Sequence, residues 1–180
     1  MFPDGVMPLR IFEPRYSNLV ALCMKGPMGF GICAARAADG GGFSRPHNVG
    51  TLVEIIDFDR LDDGYLGITV EGRRRFHVLS TRQADNGLWW GTVEFMHEDQ
   101  DCDCPAEFDM LKEVAAALLE QAGSPWSERS VDYDSARWLS ARLTEWLPFD
   151  AATKHTLLAT DDPLERLRQI QPLVRIENRA

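Results

Sequence analysis

Residues 97–105, "HEDQDCDCP", hold the densest set of metal-ligating types in the chain: His97, Cys102 and Cys104, with Asp101 and Asp103 beside them. Thiolate and imidazole are zinc ligands. A closed zinc site takes four, usually with C-x2-C spacing, and no second pair follows here. The stretch reads as an acidic linker carrying two free thiols, and no metal is assigned. Cys23 falls on the apolar face of an expected helix and Cys33 in an apolar strand, where each serves as a small core residue. With no secretion signal visible, reduced thiols in a cytoplasm are the expectation.

Other chemistries fail on spacing. A phosphate-cradling loop needs Gly-Lys before Ser or Thr, and no Gly-Lys pair exists in the sequence. "DGGG" (39–42) has neither that lysine nor a following helix. The G-x-S-x-G elbow of serine hydrolases is absent. A Ser-Lys dyad would need a desolvated lysine. Lys25 sits at a helix end, and Lys112 and Lys154 fall in polar helical stretches. "DFDRLDDG" (57–64) is acidic enough to suggest calcium, yet Arg60 and Leu61 break the ligand spacing, so a solvated hairpin turn is expected. No catalytic residue and no cofactor are assigned.

Trp89-Trp90 is the candidate for binding rather than chemistry. Adjacent strand residues point to opposite faces, so one indole fills the core and the other is left partly exposed. An exposed tryptophan is a common interaction anchor. The charge balance narrows the partner: 19 Lys+Arg against 28 Asp+Glu give −9. Neutralising a nucleic-acid backbone takes clustered cations, and the single cluster is Arg73-Arg74-Arg75. No run approaches the ~18 apolar residues of a membrane span.

These residues must be positioned by elements of two textures. Residues 1–97 are rich in glycine and β-formers, and 105–176 in Ala, Leu, Glu and Arg. In "MPLRIFEPRY" (7–16) an extended segment hands over to a helix at Pro14, where a missing N–H costs nothing. Phe12 is expected to plug the core at that joint. Arg10 and Arg15 are expected to fix its angle by salt bridges. Tyr16, Leu19, Val20, Cys23 and Met24 form one apolar stripe over a helix of about 14–25. Strands are expected at 29–35, 50–60, 65–72, 74–82 and 88–97, with Asp63-Gly64 and Asn86-Gly87 as hairpin turns. An exposed loop is expected over 37–48. After the linker (98–104), helices are expected over about 105–122, 134–147, 150–159 and 163–171. Leu139, Leu143, Trp146 and Leu147 share one face of the second. Asp162, Pro163 and Glu165 cap the last, and Pro172 should end or kink it.

The order of these features resembles a known family. "PLRIFEPRY" before an apolar helix, then "GTLVEI…LDDGYLGITVEGRRRFHV", is similar to the Lon substrate-binding domain, the N-terminal domain of ATP-dependent Lon proteases, which also occurs alone. The signature residues are Pro8-Leu9, Phe12-Glu13, Arg15-Tyr16, Gly50-Thr51, Asp63-Gly64, Gly72 and Arg75-Phe76. "LTEWLPFDAATKHTLLATDDPLERLRQI" (143–170) resembles its helical part. The resemblance implies an α+β fold: a six-stranded, PUA-like pseudo-barrel packed against a C-terminal helical bundle (105–180). Family members usually open with a Pro-, Leu- and Phe-rich strand. Here only "MFPDGVMPL" precedes the helix, so that strand is missing or replaced and a sheet edge is exposed.

The function implied is recognition of unfolded or partner polypeptides, in association with a protease system and without proteolysis by this chain. Expected contacts are Trp89 or Trp90 as anchor, with Phe43 and Arg45 on the exposed loop. Two alternatives stand beside it: a small enzyme using a cleft between barrel and helices, and an RNA-binding PUA-like protein. The sequence leaves oligomeric state and peptide motif open.

Overall fold

The computed structural model describes residues 1–26, 29–36, 45–122, 126 and 129–177. The chain divides into two compact units, Met1–Met96 and His97–Ala180.

The first unit is one antiparallel sheet and one helix. Its strands are β1 (Val6–Ile11), β2 (Phe30–Ala35), β3 (Pro46–Arg60), β4 (Leu66–Gln83) and β5 (Trp89–Phe95), and its helix is α1 (Pro14–Cys23). These are five strands among the described residues, where the resemblance implied six. The order is β1-β4-β3-β2, and β5 also pairs with β4. Thus β4 carries β1 along its first half (Leu66–Glu71) and β5 along its second (Phe76–Gln83). The separate strands expected over 65–72 and 74–82 are this one strand. An extra residue in β4, where Arg73 and Arg74 face the single Leu52 of β3, lets the pairing pass the triple arginine without ending it. The short segment before the helix is itself a strand, β1, so its residues are paired rather than lost to the sheet.

Both expected turns form. Gly64 and Gly87 take φ of +83° and +82°, a region only glycine enters cheaply. Asp63 and Asn86 accept hydrogen bonds from the N–H groups of Tyr65 and Leu88, closing the turns from the side. Gly72 has a different reason. A Cβ there would stand 2.0 Å from the carbonyl oxygen of Phe2. The N-terminal residues therefore lie flat on β4, with the Asp4 N–H donating to Gly72 O at 2.9 Å and Phe2 buried.

Phe12 corrects the expectation of a core plug. Ile11, the last residue of β1, takes the inward place, and the period of two turns Phe12 out to 60% exposure. Helix α1 ends at Cys23, two residues earlier than expected, and Met24 is exposed. Arg10 and Arg15 both find carboxylates, Asp63 at 3.0 Å and Glu13 at 2.9 Å.

The second unit is helical: a 3-10 turn (Ala106–Phe108), then α2 (Asp109–Ala122), α3 (Ala136–Trp146), α4 (Ala151–Ala159) and α5 (Pro163–Glu177). Phe108, Leu111, Leu139, Leu143, Leu157, Leu167 and Ile170 form its core. Trp146, expected on the face of Leu139 and Leu143, packs at the core's margin. Ser135 and Asp150 cap α3 and α4 by accepting from the N–H groups of Trp138 and Thr153. Helix α5 does not stop at Pro172. Pro172 lies on its exposed side while Ile170 and Val174 are both buried, and that burial offsets the ~3 kcal/mol cost of an interior proline.

Residues 97–104 are built into this unit. Asp103 bridges Ser135, the Cys104 N–H donates to Asp134 O, and the Ala136 N–H donates to Cys102 O. Asp99 reaches Arg166, which is fully buried and satisfied on every side. Its Nε donates to Leu157 O (3.0 Å), one terminal nitrogen to Ser140 Oγ (2.9 Å), and the other to Asp99 Oδ2 (2.9 Å) and Thr160 O.

Candidate recognition groove

The first unit contains an apolar groove built from segments far apart in sequence. Beyond His77, β4 has β5 as its sole partner among the described residues, so the two continue as a ribbon. The ribbon's turn meets the start of α1, where Arg15 donates to Gly87 O at 3.0 Å and is held from behind by Glu13. Ribbon, α1, the end of β1 and strand β2 enclose a space of about 560 Å³, the size range of specific binding sites.

Cross-strand pairing explains the wall. Phe76–Phe95 and Val78–Val93 are paired and share one face of the ribbon. A bulge at Leu79 restores the alternation so that Thr81, Gly91 and Trp89 continue that face. Opposite stand Leu9, Ile11, Phe12, Tyr16 and Leu19, with Gly31, Ile32 and Cys33 of β2 beneath. The floor is close-packed. A Cβ at Gly50 would lie 2.4 Å from Cys33 Sγ and 2.7 Å from the tip of the Phe76 ring, so that ring rests on bare backbone.

Chemically the groove is poor in reactive groups. Among the described lining residues the ionisable side chains are Arg10, Tyr16 and Cys33. Arg10 is spent on Asp63 and stacks over Tyr65 at 4.7 Å. Burial pushes the Cys33 thiol up, away from the nucleophilic thiolate. Among the described residues no acid–base pair converges there. What remains is apolar surface, partly open: Phe12, Val93 and Phe95 are 60%, 36% and 42% exposed.

The residues singled out by sequence fall unevenly. Trp89 is half-buried and Trp90 is 39% exposed, on opposite faces of β5, and both contribute to the wall. Arg82, the cross-strand partner of Trp90, lies over its ring at 5.8 Å. Arg45 is exposed and adjoins Pro46, a lining residue. Phe43 lies outside the described residues. Phe12, Val93 and Phe95 were missed as contacts. The alternation in "WWGTVEF" signals the two β5 residues, whereas nothing local signals Phe12.

The thiol pair of "CDC" is placed by backbone pairing to residues 134–136. Partial desolvation, then the charges of Asp101, Asp162 and Asp103, raise Cys102. Burial is the main cause for Cys104. Among the described residues no group of three or more His, Cys, Asp or Glu side chains is placed to hold a metal ion.

An apolar groove in a chain that joins a β unit to a helical unit has the geometry of a binding domain. The family model for the ATP-dependent protease La (LON) substrate-binding domain matches residues 1–175, and the chain belongs to that family. A crystal structure of a Lon N-terminal domain protein from Xanthomonas campestris superposes with a TM-score of 0.76 at 35% identity, over 96% of this chain and 91% of that one. Among curated proteins it is similar to protein cereblon of Xenopus tropicalis (25% identical, 93% of this chain, 38% of cereblon). It is also similar to the Lon protease of Cytophaga hutchinsonii (25% identical, 92% of this chain, 21% of that protease). The chain thus spans well under half the length of these curated relatives.

Proposed function

We propose that the groove of the first unit captures extended, apolar segments of unfolded or partner polypeptides. Trp89, Phe95 and Phe12 would be its main contacts, with Trp90 and Arg45 at its margin. The observation that carries this reading is an open apolar space of about 560 Å³ whose lining offers a binding segment almost no charge. Family membership supports it, since the matched domain is named for substrate binding. On this reading the chain serves an ATP-dependent protease system in the cytoplasm as a recognition part and cleaves no peptide bond itself. No helix among the described residues is long and apolar enough to cross a membrane.

The test is binding of a fluorescent peptide rich in Leu and Phe, read by anisotropy. Trp89→Ala and Phe95→Ala should each weaken binding about tenfold or more, the scale of a buried aromatic anchor. Circular dichroism should report an intact fold for both. Unchanged affinity in both variants would remove the groove from the function.

A further inference from the structure

The charge of the chain is divided unequally. Residues 1–96 hold 10 Lys+Arg and 11 Asp+Glu, a net of −1, so residues 97–180 hold 9 and 17, a net of −8. Four of the first unit's 11 acidic side chains, Asp57, Asp59, Asp62 and Asp63, lie at the end of β3 and in the β3–β4 turn. The arginines around the groove are of two kinds. Arg10 and Arg15 are bound to carboxylates. Arg36, Arg45, Arg74 and Arg82 are exposed and have no carboxylate partner among the described residues.

Arg45, Arg74 and Arg82 adjoin lining residues, and Arg36 is tied to Arg45. Arg74 lies over the ring of Phe95 at 4.4 Å, and Arg82 over that of Trp90 at 5.8 Å. Arg45 precedes Pro46, and its carbonyl accepts from the Arg36 N–H at 2.7 Å, which holds those two residues together. Among the described residues, Asp85 sits in the ribbon turn, and Glu94 pairs with His77 on the face of the ribbon that also carries Trp90 and Arg82. Beyond about 8 Å charges are largely screened at physiological ionic strength, so a docking segment meets this local surplus rather than the net charge of the chain.

Resting on the groove reading, we infer that the preferred occupant is an apolar polypeptide segment flanked by acidic residues. The apolar part fills the space between Phe12 and Trp89, and the flanking carboxylates meet guanidiniums that have no carboxylate partner among the described residues, two of which, Arg74 and Arg82, already lie over aromatic rings. Arginine suits this role because its fork holds a carboxylate while its face stays on the ring.

Three labelled peptides with one Leu/Phe core and Asp/Glu, Ser/Gly or Lys/Arg flanks separate the outcomes. The acidic-flanked peptide should bind about tenfold tighter than the Ser/Gly-flanked one, the sum of several exposed charge pairs. That ratio should fall towards one in about 1 M salt, where the screening length is ~3 Å, and also in R36Q/R74Q/R82Q. Arg→Lys at the same positions should restore part of it. Equal affinities for acidic and neutral flanks, or preference for basic ones, would overturn the inference while leaving the groove in place. Failure of all three peptides to bind would remove the groove itself. Displacement of the acidic-flanked peptide by a single-stranded oligonucleotide at lower concentration would assign the arginines to nucleic acid instead.

Discussion

Replacing Arg166 by methionine is expected to cost the helical unit much of its stability. The guanidinium is completely buried and ties α5 to Ser140 of α3, to the carbonyls of Leu157 and Thr160 where α4 ends, and to Asp99. Methionine keeps the volume and removes the donors. Asp99, 7% exposed at its side chain, then loses its guanidinium. Breaking one side of a buried ion pair costs roughly 3–5 kcal/mol. Two carbonyls and a hydroxyl lose a donor as well, at about 1 kcal/mol or more each, partly overlapping with the first term. A total near 5 kcal/mol compares with the ~5–15 kcal/mol that holds a whole domain folded. Urea unfolding followed by ellipticity at the helical band should show the midpoint falling by about 2 M, for a denaturant slope of ~2 kcal/mol per molar. The double variant Asp99→Leu/Arg166→Met should recover a large part of the loss, because no buried carboxylate is then left without its guanidinium. A loss below about 1 kcal/mol in the single variant, or a double variant no more stable than the single, would refute the reasoning.

Two further expectations concern single positions. Gly72→Ala should lift the N-terminal residues off β4, because the carbonyl of Phe2 stands 2.0 Å from the new Cβ and backbone cannot yield as a side-chain tip can. Faster amide exchange over Asp4 and Gly5 would show it, and unchanged exchange would contradict the packing described. Asp150 caps α4, and the hydrogen bond from the Thr153 N–H, with smaller help from the Thr153 hydroxyl, lowers its pKa. A lowered folded pKa contributes stability that is complete above the unfolded value and lost as pH falls through the folded one. Asp150→Asn keeps the cap acceptor and should flatten the acid limb of the stability curve. An unaltered limb would place the effect elsewhere.

What the sequence discloses depends on the range of the cause. Asp63-Gly64 and Asn86-Gly87 are legible because a positive φ is a local demand that a residue pair can meet. The cap at Asp150 is legible for the same reason: donor and acceptor lie three residues apart. Phe12 was misread because its side depends on the parity of β1, which only pairing with β4 settles. The burial of Arg166 is not legible in a charged, capped helix, since its partners come from three other segments. The ribbon and α1 meet through Arg15 and Gly87, 72 residues apart, so the groove they enclose has no signature in either stretch. Trp89 and Trp90 were visible as a pair, yet what lies against each was not.

The shared edge of β4 has a consequence for how the chain is made. Val6 of β1 pairs with Glu71, so a ribosome adding ~5–20 residues per second leaves the first strand without a partner for several seconds. Strand β3 meets β4 across a tight turn, and β1 finds its edge only once that hairpin has been made. A waiting strand can join the wrong neighbour. Pro8, which has no N–H to offer, and the exposed charge of Arg10 make β1 a poor template for strangers until its own edge is ready. The stretch that joins strand to helix in the finished fold thus also guards the nascent one.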